Sequence, residues 1–503
     1  MHFKSLITLQ ILLPLVFALI PIEVKNFRFI RPSTNASDEG EVVQIIGLDY
    51  QPGGSSGYDP NGDSDVLSDP DQILRDTYLF KQLGINTIRV YSLNPWINHD
   101  ESMSILNAAG IYVILDVNNP FQSLARLHPA DSYNSDYLNH IFGIVDAFKG
   151  YPNLLGFFAG NEVVNDAASA KLSPPYVRAI IRDLKDYIKL HANRTIPVGY
   201  SAADDKDLRD VMLMYLECQN GNDSSAADFY GLNSYEWCSG RDDWQSSGYG
   251  TLLETFKTTS IPIFLSEYGC NVNSPRSFDE VYDGLYANLS TVFSGGLVYE
   301  YSQQENDYGL VEIRDDGSIR IDQDYANLQA AYNKIVWKTE YESDVPDTSR
   351  PVCNSSYSKT ITDLNANFNA SFVLPACPDS SMLKNGGGNN NIGKIVDLSN
   401  NTSTYKIYNI NGNTISNITV EFSEDNQINS PAGLSINDTQ TNSSDSDSVS
   451  ASNTLPSTSP TSSIEPSTST GLASTSTSKA MASINSYGFG LFSFMLSGLI
   501  AFS

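Results

Sequence analysis

The feature that most constrains the fold is a regular alternation of short apolar runs with longer amphipathic stretches between residues 42 and 335. Short apolar runs are typical of buried strands, whereas apolar spacing of three and four residues is typical of helices. The predicted strands are Val43–Leu48, Thr87–Val90, Tyr112–Leu115, Leu154–Ala159, Ile196–Tyr200, Phe229–Asn233, Ile261–Leu265 and Gly296–Tyr301. The predicted helices are Asp71–Leu83, Asp100–Ala109, Ser135–Phe148, Pro175–His191, Thr251–Thr258 and Ser277–Leu289.

Eight strands that alternate with helices predict a (β/α)8 TIM barrel over residues 23–340. A doubly wound open sheet is the alternative. That fold would place a Gly-rich phosphate-binding turn after the first strand. The turn here reads Asp49-Tyr50-Gln51-Pro52-Gly53-Gly54, which does not match, and the barrel is therefore favoured.

The N-terminal segment predicts secretion. Residues 1–22 carry Lys4 and then an apolar run that Pro14 interrupts, which is typical of a signal peptide. A buried first strand or helix is the alternative. Secretion also agrees with the many Asn-X-Ser/Thr sequons, which begin at Asn35, Asn193, Asn222, Asn288, Asn354, Asn369, Asn400, Asn401, Asn417, Asn437 and Asn442.

The C-terminal third differs in composition from the barrel. We expect residues 341–383 to form an irregular extension packed on the barrel, and residues 384–440 to be an Asn/Gly-rich region of uncertain order. Residues 441–486 read as a disordered, Ser/Thr-rich, O-glycosylated stalk. Residues 487–503 form a hydrophobic tail that fits a glycolipid (GPI) attachment signal, removed on anchoring. A stop-transfer membrane helix is the alternative.

Charge and cysteine content narrow the class of partner and of site. The chain has 58 acidic and 30 basic residues, a formal net charge of −28, which disfavours nucleic acid and anionic lipid headgroups and favours a neutral partner such as a polysaccharide. The five cysteines predict disulfides in an oxidising compartment, with one thiol left over. No Cys-X-X-Cys motif occurs and there are only five histidines, so no metal site is expected.

Polar and aromatic residues follow every predicted strand. Barrel enzymes place their chemistry at the C-terminal ends of the strands, where these residues would meet. In strand order they are Asp49-Tyr50-Gln51, Arg89-Val90-Tyr91, Asp116, Gly160-Asn161-Glu162, Asp204-Asp205, Asn233-Ser234-Tyr235-Glu236-Trp237, Ser266-Glu267-Tyr268 and Tyr299-Glu300.

Two of these residues suit glycoside chemistry, which needs two carboxyl groups across the scissile bond. Glu162 ends strand four and Glu267 ends strand seven, three strand–helix units later. Strands four and seven face each other across the mouth of an eight-stranded barrel, so both glutamates can reach one sugar. Asn161 could bind the sugar 2-hydroxyl. A surface salt bridge explains either glutamate alone, but it does not explain the pair beside Asn161.

Several stretches together resemble one known family. They are Gly-Leu-Asp-Tyr-Gln-Pro-Gly-Gly-Ser-Ser (47–56), Gly-Ile-Asn-Thr-Ile-Arg-Val-Tyr-Ser (84–92), Asn-His-Asp-Glu (98–101), Ala-Gly-Ile-Tyr-Val-Ile-Leu-Asp (109–116), Ala-Gly-Asn-Glu-Val (159–163), Gly-Tyr-Ser-Ala-Ala-Asp-Asp (199–205), Asn-Ser-Tyr-Glu-Trp-Cys (233–238), Ser-Glu-Tyr-Gly-Cys-Asn (266–271) and Tyr-Gly-Leu-Val (308–311). From residue 47 to about residue 379 the chain resembles the fungal β-1,3-glucanosyltransferases of the Gas/Phr type, glycoside hydrolase family 72.

The resemblance implies a retaining enzyme that cleaves β-1,3-glucan and passes the new reducing end to another glucan chain, without cofactor or metal. It implies that Glu162 is the acid/base and Glu267 the nucleophile. The implied partners are β-1,3-glucan donor and acceptor chains. From the hydrophobic tail and the stalk we expect the enzyme to be held by a GPI anchor at the outer face of the plasma membrane or in the cell wall, and we expect a monomer. The implied sugar-binding residues are Gln51, Tyr91, Asp116, Asn161, Asp204, Arg209, Tyr235 and Tyr299.

The chain departs from the family pattern in two places. Ile73 and Ser102 stand where the family has an early cysteine pair, and the cysteine-rich carbohydrate-binding module is missing, which resembles the shorter subgroup. Two other functions stay open. A plain endo-β-1,3-glucanase would use the same carboxylates, and a non-catalytic glucan-binding wall protein would keep the barrel.

The cysteine positions predict two bridges. Cys238 and Cys270 follow strands six and seven, which are neighbours, so we expect them to pair. We expect Cys218 to pair with Cys353 and to tie down the post-barrel segment, although Cys377 competes for either partner.

Overall fold

The computed structural model describes residues 19–33, 38–221, 224–336, 338–423 and 427–431. Its centre is a closed barrel of eight parallel strands, which confirms the predicted (β/α)8 fold. All eight predicted strands are present, and two have the predicted bounds. In chain order the barrel strands are β1 (Ile45–Asp49), β2 (Thr87–Val90), β3 (Tyr112–Asp116), β4 (Leu154–Asn161), β5 (Val198–Ala203), β6 (Phe229–Asn233), β7 (Ile263–Tyr268) and β8 (Phe293–Val298).

Helices surround the barrel, and their ends follow from local sequence. In α1, Asp69 caps the first turn by accepting from the backbone of Asp71 and Gln72, and Gly84 ends the helix in the left-handed region (φ 76°). The α-helices are α1 (Pro70–Leu83), α2 (Asp100–Ala108), α3 (Pro129–Ser132), α4 (Ser135–Phe148), α5 (Ala167–Leu172), α6 (Pro174–His191), α7 (Arg209–Glu217), α8 (Tyr249–Phe256), α9 (Gln323–Tyr332), α10 (Ser355–Leu364) and α11 (Ser380–Asn385).

The predicted helix Ser277–Leu289 is wrong. Val281–Leu285 forms one π turn and Leu289–Thr291 one 3₁₀ turn. The packing of Trp237 explains part of the difference, because its ring lies 2.8 Å from where a Cβ on Gly284 would stand. Close approach of this ring requires glycine, which is a poor helix former.

The N-terminal end of the barrel is closed by a cluster that we call the plug. Its centre is four phenylalanine rings, Phe29, Phe158, Phe229 and Phe264, with centroid separations of 5.2 to 5.9 Å. Phe29 comes from the antiparallel sheet of Glu23–Lys25, Arg28–Arg31 and Glu41–Val42, which covers this end. Leu19 and Ile22 are also buried here, although the sequence predicted a signal peptide through residue 22. Residues 1–18 lie outside the described residues.

The segment after the barrel packs against it. The extension predicted for 341–383 also carries the helix α10. Most of the region 384–440 is described: Ile407–Tyr408 and Thr414–Ile415 complete a four-stranded sheet with Val311–Ile313 and Ile319–Ile321. The side chain of Asn389 is buried and donates to the carbonyls of Pro95 and Gly143. The predicted stalk and the predicted tail lie outside the described residues.

Candidate active site

The structure brings Glu162 and Glu267 to the same end of the barrel. Glu162 directly follows β4 and is held with a positive φ of 50°, while its backbone N–H donates to Ser201 at 2.8 Å. A positive φ is unfavourable for a residue with a Cβ, so local contacts must hold this conformation. The Asn233 amide supplies one such contact, since it donates to Glu162 Oε1 at 2.9 Å and to Asn161 Oδ1 at 3.1 Å.

Glu267 lies in β7 and receives three donors. The hydroxyl of Tyr91 donates to Oε1 at 2.8 Å, the hydroxyl of Tyr235 donates to Oε2 at 2.9 Å, and Arg89 Nη1 lies 3.5 Å from Oε1. These groups fix both oxygens of the carboxylate and leave it facing the mouth of the barrel. Such an arrangement suits a carboxylate that must hold one orientation in a reaction.

Burial raises the pKa of Glu267 to about 7. Arg89 opposes this shift, the charge of Glu162 adds to it, and the hydroxyls of Tyr91 and Tyr235 oppose it. The contribution of Glu162 reflects the closeness of the two carboxyl groups. Repulsion between neighbouring carboxyl groups disfavours the state in which both are ionised.

Arg89 organises the floor of the site, and the sequence-based set of site residues did not include it. It is wholly buried, binds both oxygens of Asp116 at 2.8 and 3.1 Å, and donates to Asn161 Oδ1 at 3.0 Å. Its guanidinium lies 4.5 Å from the centre of the Phe158 ring, on top of the plug. The signal for Arg89 was a single charge within the buried strand Thr87–Val90. Asn233, which closes strand β6, was also named at a strand end but was not included among the predicted site residues.

Some of the predicted sugar-binding residues border the carboxylates. Tyr91 and Tyr235 contact Glu267, and Asn161 lies beside Glu162 with an exposed side chain. The Tyr235, Tyr299 and Tyr308 rings pack edge to face, with centroids 5.3 to 6.4 Å apart. Aromatic groups and hydrogen-bonding groups therefore line one wall of the mouth, as sugar binding requires.

Other predicted sugar-binding residues are engaged with the protein itself. Gln51 Oε1 accepts from the backbone of Tyr91 and Ser92 at 3.2 and 3.1 Å. Asp116 is occupied by Arg89. Asp204 pairs with Arg209 and accepts from Ser234 at 2.6 Å. In this structure these residues shape the mouth by holding its loops.

Both predicted disulfides are present. Cys238 and Cys270 follow β6 and β7 with a Cα–Cα distance of 4.8 Å, and Cys218 pairs with Cys353 with a Cα–Cα distance of 5.2 Å. Cys377, the predicted competitor, is a free thiol. Cys238 lies three residues after Tyr235, and Cys270 lies three residues after Glu267. The Cys238–Cys270 bridge therefore joins the segments that follow the nucleophile Glu267 and its partner Tyr235.

Among the described residues, no helix is both long and apolar enough to cross a bilayer. The same residues contain no group of three or more histidine, cysteine or acidic side chains arranged to hold a metal ion.

Comparison with known proteins gives consistent similarities. The family model for glucanosyltransferases of glycoside hydrolase family 72 matches residues 15–336. The chain is 49% identical over 433 residues to a probable 1,3-β-glucanosyltransferase, GAS3, of Saccharomyces cerevisiae, covering 82% of each chain. It is 47% identical over 424 residues to the 1,3-β-glucanosyltransferase gel2 of Aspergillus fumigatus, covering 83% of this chain and 86% of that protein.

A solved structure shares the fold. It is Saccharomyces cerevisiae Gas2p in complex with laminaritriose and laminaritetraose, with a TM-score of 0.60 and 38% sequence identity. The match covers 72% of this chain and 78% of that one.

Proposed function

The chain belongs to the glucanosyltransferases of glycoside hydrolase family 72, and from this premise we propose that Glu162 and Glu267 carry its reaction. The protein is a retaining 1,3-β-glucanosyltransferase of cell-wall glucan. The observation that supports the residue assignment is the unequal setting of the two carboxyl groups. Glu267 is held by Tyr91, Tyr235 and Arg89, whereas Glu162 has one amide partner and faces the open mouth.

In the first step, Glu267 attacks the anomeric carbon of a β-1,3-linked glucose while Glu162 donates its proton to the glycosidic oxygen. The C1–O bond breaks, and the fragment on the reducing-end side leaves with a new hydroxyl. The rest of the glucan stays on the enzyme as an ester of Glu267. Two hydroxyl groups and Arg89 fix the attacking carboxylate, so little reorganisation is needed as the bond forms.

In the second step, Glu162, now ionised, takes the proton from a hydroxyl at the non-reducing end of an acceptor glucan. That oxygen attacks C1, the ester to Glu267 breaks, and a new β-1,3 bond forms with the original configuration. Two inversions at C1 give net retention. If water takes the place of the acceptor, the same site hydrolyses the chain, so the position of the acceptor decides between elongation and shortening.

The groups around the carboxylates would hold the sugar. Asn161 has its amide oxygen fixed by Arg89 and Asn233, which leaves its NH₂ group available for the 2-hydroxyl of the sugar that reacts. Tyr299 and Tyr235 offer ring faces and edges for the sugar next to it. We assign Gln51, Asp116, Asp204 and Arg209 to the support of this wall, according to the contacts described above.

The assay is incubation of the purified protein with a laminari-oligosaccharide reduced at one end. Products longer than the substrate support transfer, shorter products alone mean hydrolysis, and an unchanged substrate means a non-catalytic wall protein. Glu267→Gln should abolish both longer and shorter products, and Glu162→Gln should lower the rate by about 10²- to 10⁴-fold. The matched control is Glu254→Gln, a change at an exposed glutamate, which should leave the rate within about twofold. Near-normal turnover of either active-site variant refutes the assignment.

We propose further that the protein works outside the cell on a lipid anchor. The support is the sequence: a signal peptide before the barrel and a hydrophobic tail after a Ser/Thr-rich stretch. Because Leu19 and Ile22 pack in the plug, we place signal cleavage at or before Leu19. Phosphatidylinositol-specific phospholipase C should release the protein from membranes. Retention while an anchored control is released, with an intact C-terminal peptide through Ser503, would mean a membrane helix.

A further inference from the structure

Asp49 is a buried carboxyl group that the proposed mechanism does not use. It is the last residue of β1, its backbone oxygen accepts from Tyr301, and its relative exposure is 0%. Neither side-chain oxygen has a well-formed hydrogen bond to any of the residues that the structure describes. A buried ionised carboxylate without a hydrogen-bond donor costs several kcal/mol, so this setting disfavours the charged form.

The acidic groups around Asp49 also disfavour its ionised form. Arg89 lowers the pKa of Asp49, but its guanidinium already binds both oxygens of Asp116. The carboxyls of Glu267 and Asp116 repel a charge on Asp49. Among the residues that the structure describes, the hydroxyls of Tyr91, Tyr235 and Tyr299 also interact with it. Burial, the largest cause, raises the pKa of Asp49 well above its usual value; Arg89 and Tyr91 lower it, while Glu267 and Asp116 raise it.

The hydroxyl of Tyr91 connects Asp49 to the nucleophile. Tyr91 has one hydroxyl proton, which it donates to Glu267 Oε1 at 2.8 Å. The oxygen of that hydroxyl can still accept a hydrogen bond. Asp49 pairs in register with Arg89 on the neighbouring strand, two residues before Tyr91, and the Tyr91 hydroxyl acts on the Asp49 carboxyl. A protonated Asp49 has a proton to donate and needs an acceptor. The Asp49 proton and the free acceptor site on the Tyr91 oxygen therefore suit each other. Asp49 would donate to Tyr91, and Tyr91 donates to Glu267, in one chain of hydrogen bonds.

We propose that Asp49 is a positioning residue: it stays protonated and donates to the Tyr91 hydroxyl, which fixes the Tyr91 proton on Glu267. The proton is not transferred during the reaction. The inference rests on the proposed role of Glu267 as nucleophile. Asp49 acts through Tyr91 and does not touch the glucan.

Replacement of Asp49 by an isosteric donor and by an apolar side chain separates this role from others. Asp49→Asn retains an NH₂ donor for Tyr91, so kcat should stay within about threefold of the parent, whereas Asp49→Leu should lose about 10- to 30-fold. The pH profile gives a second readout. In the Leu variant the acid limb of kcat/KM should move to higher pH, because Tyr91 no longer holds its proton on Glu267, and in the Asn variant it should stay.

If Asp49 worked as an anion, Asp49→Asn would lose as much activity as Asp49→Leu. It would also move the acid limb to lower pH, because a negative charge beside Glu267 would have been removed. Either result overturns the proposal. The Asn variant alone decides this even if the Leu variant does not fold, since the amide has the same shape as the carboxyl.

A double-mutant cycle tests the connection through Tyr91. In a Tyr91→Phe background the relay is already cut, so Asp49→Leu should cost less than about twofold more. An equal cost in both backgrounds means that Asp49 acts elsewhere and overturns the proposal. Glu267→Gln is assayed in parallel. An active Glu267→Gln protein refutes the nucleophile assignment, whereas an inactive one together with a failed Asp49 cycle refutes only the positioning role.

Discussion

The two ends of the barrel differ in composition and in the free energy of burying their side chains. The plug at the N-terminal end is apolar and aromatic, with the rings of Phe29 and Phe158 each packed against Phe229 and Phe264. The mouth at the C-terminal end is polar, and its buried carboxyl groups, such as Glu267, have raised pKa values because burial disfavours their charged forms. Burial of apolar surface in the plug lowers the free energy of the folded state, whereas burial of charged groups in the mouth raises it.

The contrast shows how this fold maintains an unfavourable site. Arg89 lies at the boundary, with Phe158 of the plug on one side and Asp116, Asn161 and Glu267 on the other. The apolar end supplies a rigid floor, and the cation on that floor holds the carboxylates above it. Changes in the plug should therefore affect stability, changes in the mouth should affect turnover, and changes at Arg89 should affect both.

The largest effect is expected for Arg89→Met. Loss of the cation leaves Asp116 buried without its partner, which should cost about 3–5 kcal/mol of unfolding free energy. It should also lower kcat/KM by about 10²- to 10³-fold, because Glu267 and Asn161 lose a donor. Denaturant unfolding and the oligosaccharide assay measure the two losses.

The double variant Arg89→Met with Asp116→Leu is the control that separates them. It removes both buried charges, so it should recover most of the stability and none of the activity. Recovery of activity in the double variant would mean that Arg89 serves only to neutralise Asp116, and the boundary role would be wrong.

The next effect is expected in the plug. Phe229→Ala should lower the unfolding free energy by about 3–5 kcal/mol through a cavity among the rings, while kcat of the folded protein stays within about twofold. The matched control is Phe121→Ala, whose ring is 65% exposed, and which should change stability by less than about 0.5 kcal/mol. A tenfold fall in kcat of folded Phe229→Ala would contradict the separation of the two ends.

Removal of a disulfide should have a smaller effect. Both bridges should contribute to stability, but only one of them should affect turnover. Replacing both cysteines of either bridge by serine should cost about 2–4 kcal/mol, with the larger loss for Cys218–Cys353, which closes the longer loop. Only the loss of Cys238–Cys270 should lower kcat, by about tenfold or more, because this bridge joins the loops of Tyr235 and Glu267. Equal kcat values for the two bridge variants would show that the bridge does not position the site.

The sequence predicts the barrel because each strand, together with the helices α1, α2, α4, α6 and α8, carries its own periodic signal. The predicted strands Thr87–Val90 and Phe229–Asn233 have the observed bounds. The helices α3, α5, α7, α9, α10 and α11 were not predicted. The predicted helix Ser277–Leu289 was wrong, in part because the Trp237 ring packs against Gly284. The order of residues 384–431 also depends on distant partners, such as the carbonyl of Pro95 for Asn389, and composition does not reveal such contacts.

Within the site, the positions of Glu162 and Glu267 could be predicted because both lie at the C-terminal ends of strands. The hydrogen-bonding partners of the carboxylates could not be predicted, because side chains from several strands contact one carboxylate. Arg89 and Asn233 lie on β2 and β6, far in sequence from the residues that they hold. The predicted roles of Asp204 and Arg209 remain a prediction, and their mutual pairing indicates support of the wall.

The smallest effect is expected at the hydroxyl of Tyr235. Burial raises the pKa of Glu267 to about 7, and the Tyr235 hydroxyl is among the groups that oppose that shift by stabilising the ionised form. Tyr235→Phe should therefore raise this pKa further. Because the nucleophile reacts as an anion, the acid limb of kcat/KM should move to higher pH by about one unit or less, equivalent to about 1.4 kcal/mol at most. The loss of activity should be larger at pH 5 than at pH 8.

Tyr308→Phe is the control: it keeps the ring that packs on Tyr235 and should leave the acid limb in place. A shift to lower pH in Tyr235→Phe would mean that the hydroxyl does not donate to the ionised Glu267, and the polar mouth would then lack one of the three donors that hold its nucleophile against the cost of burial.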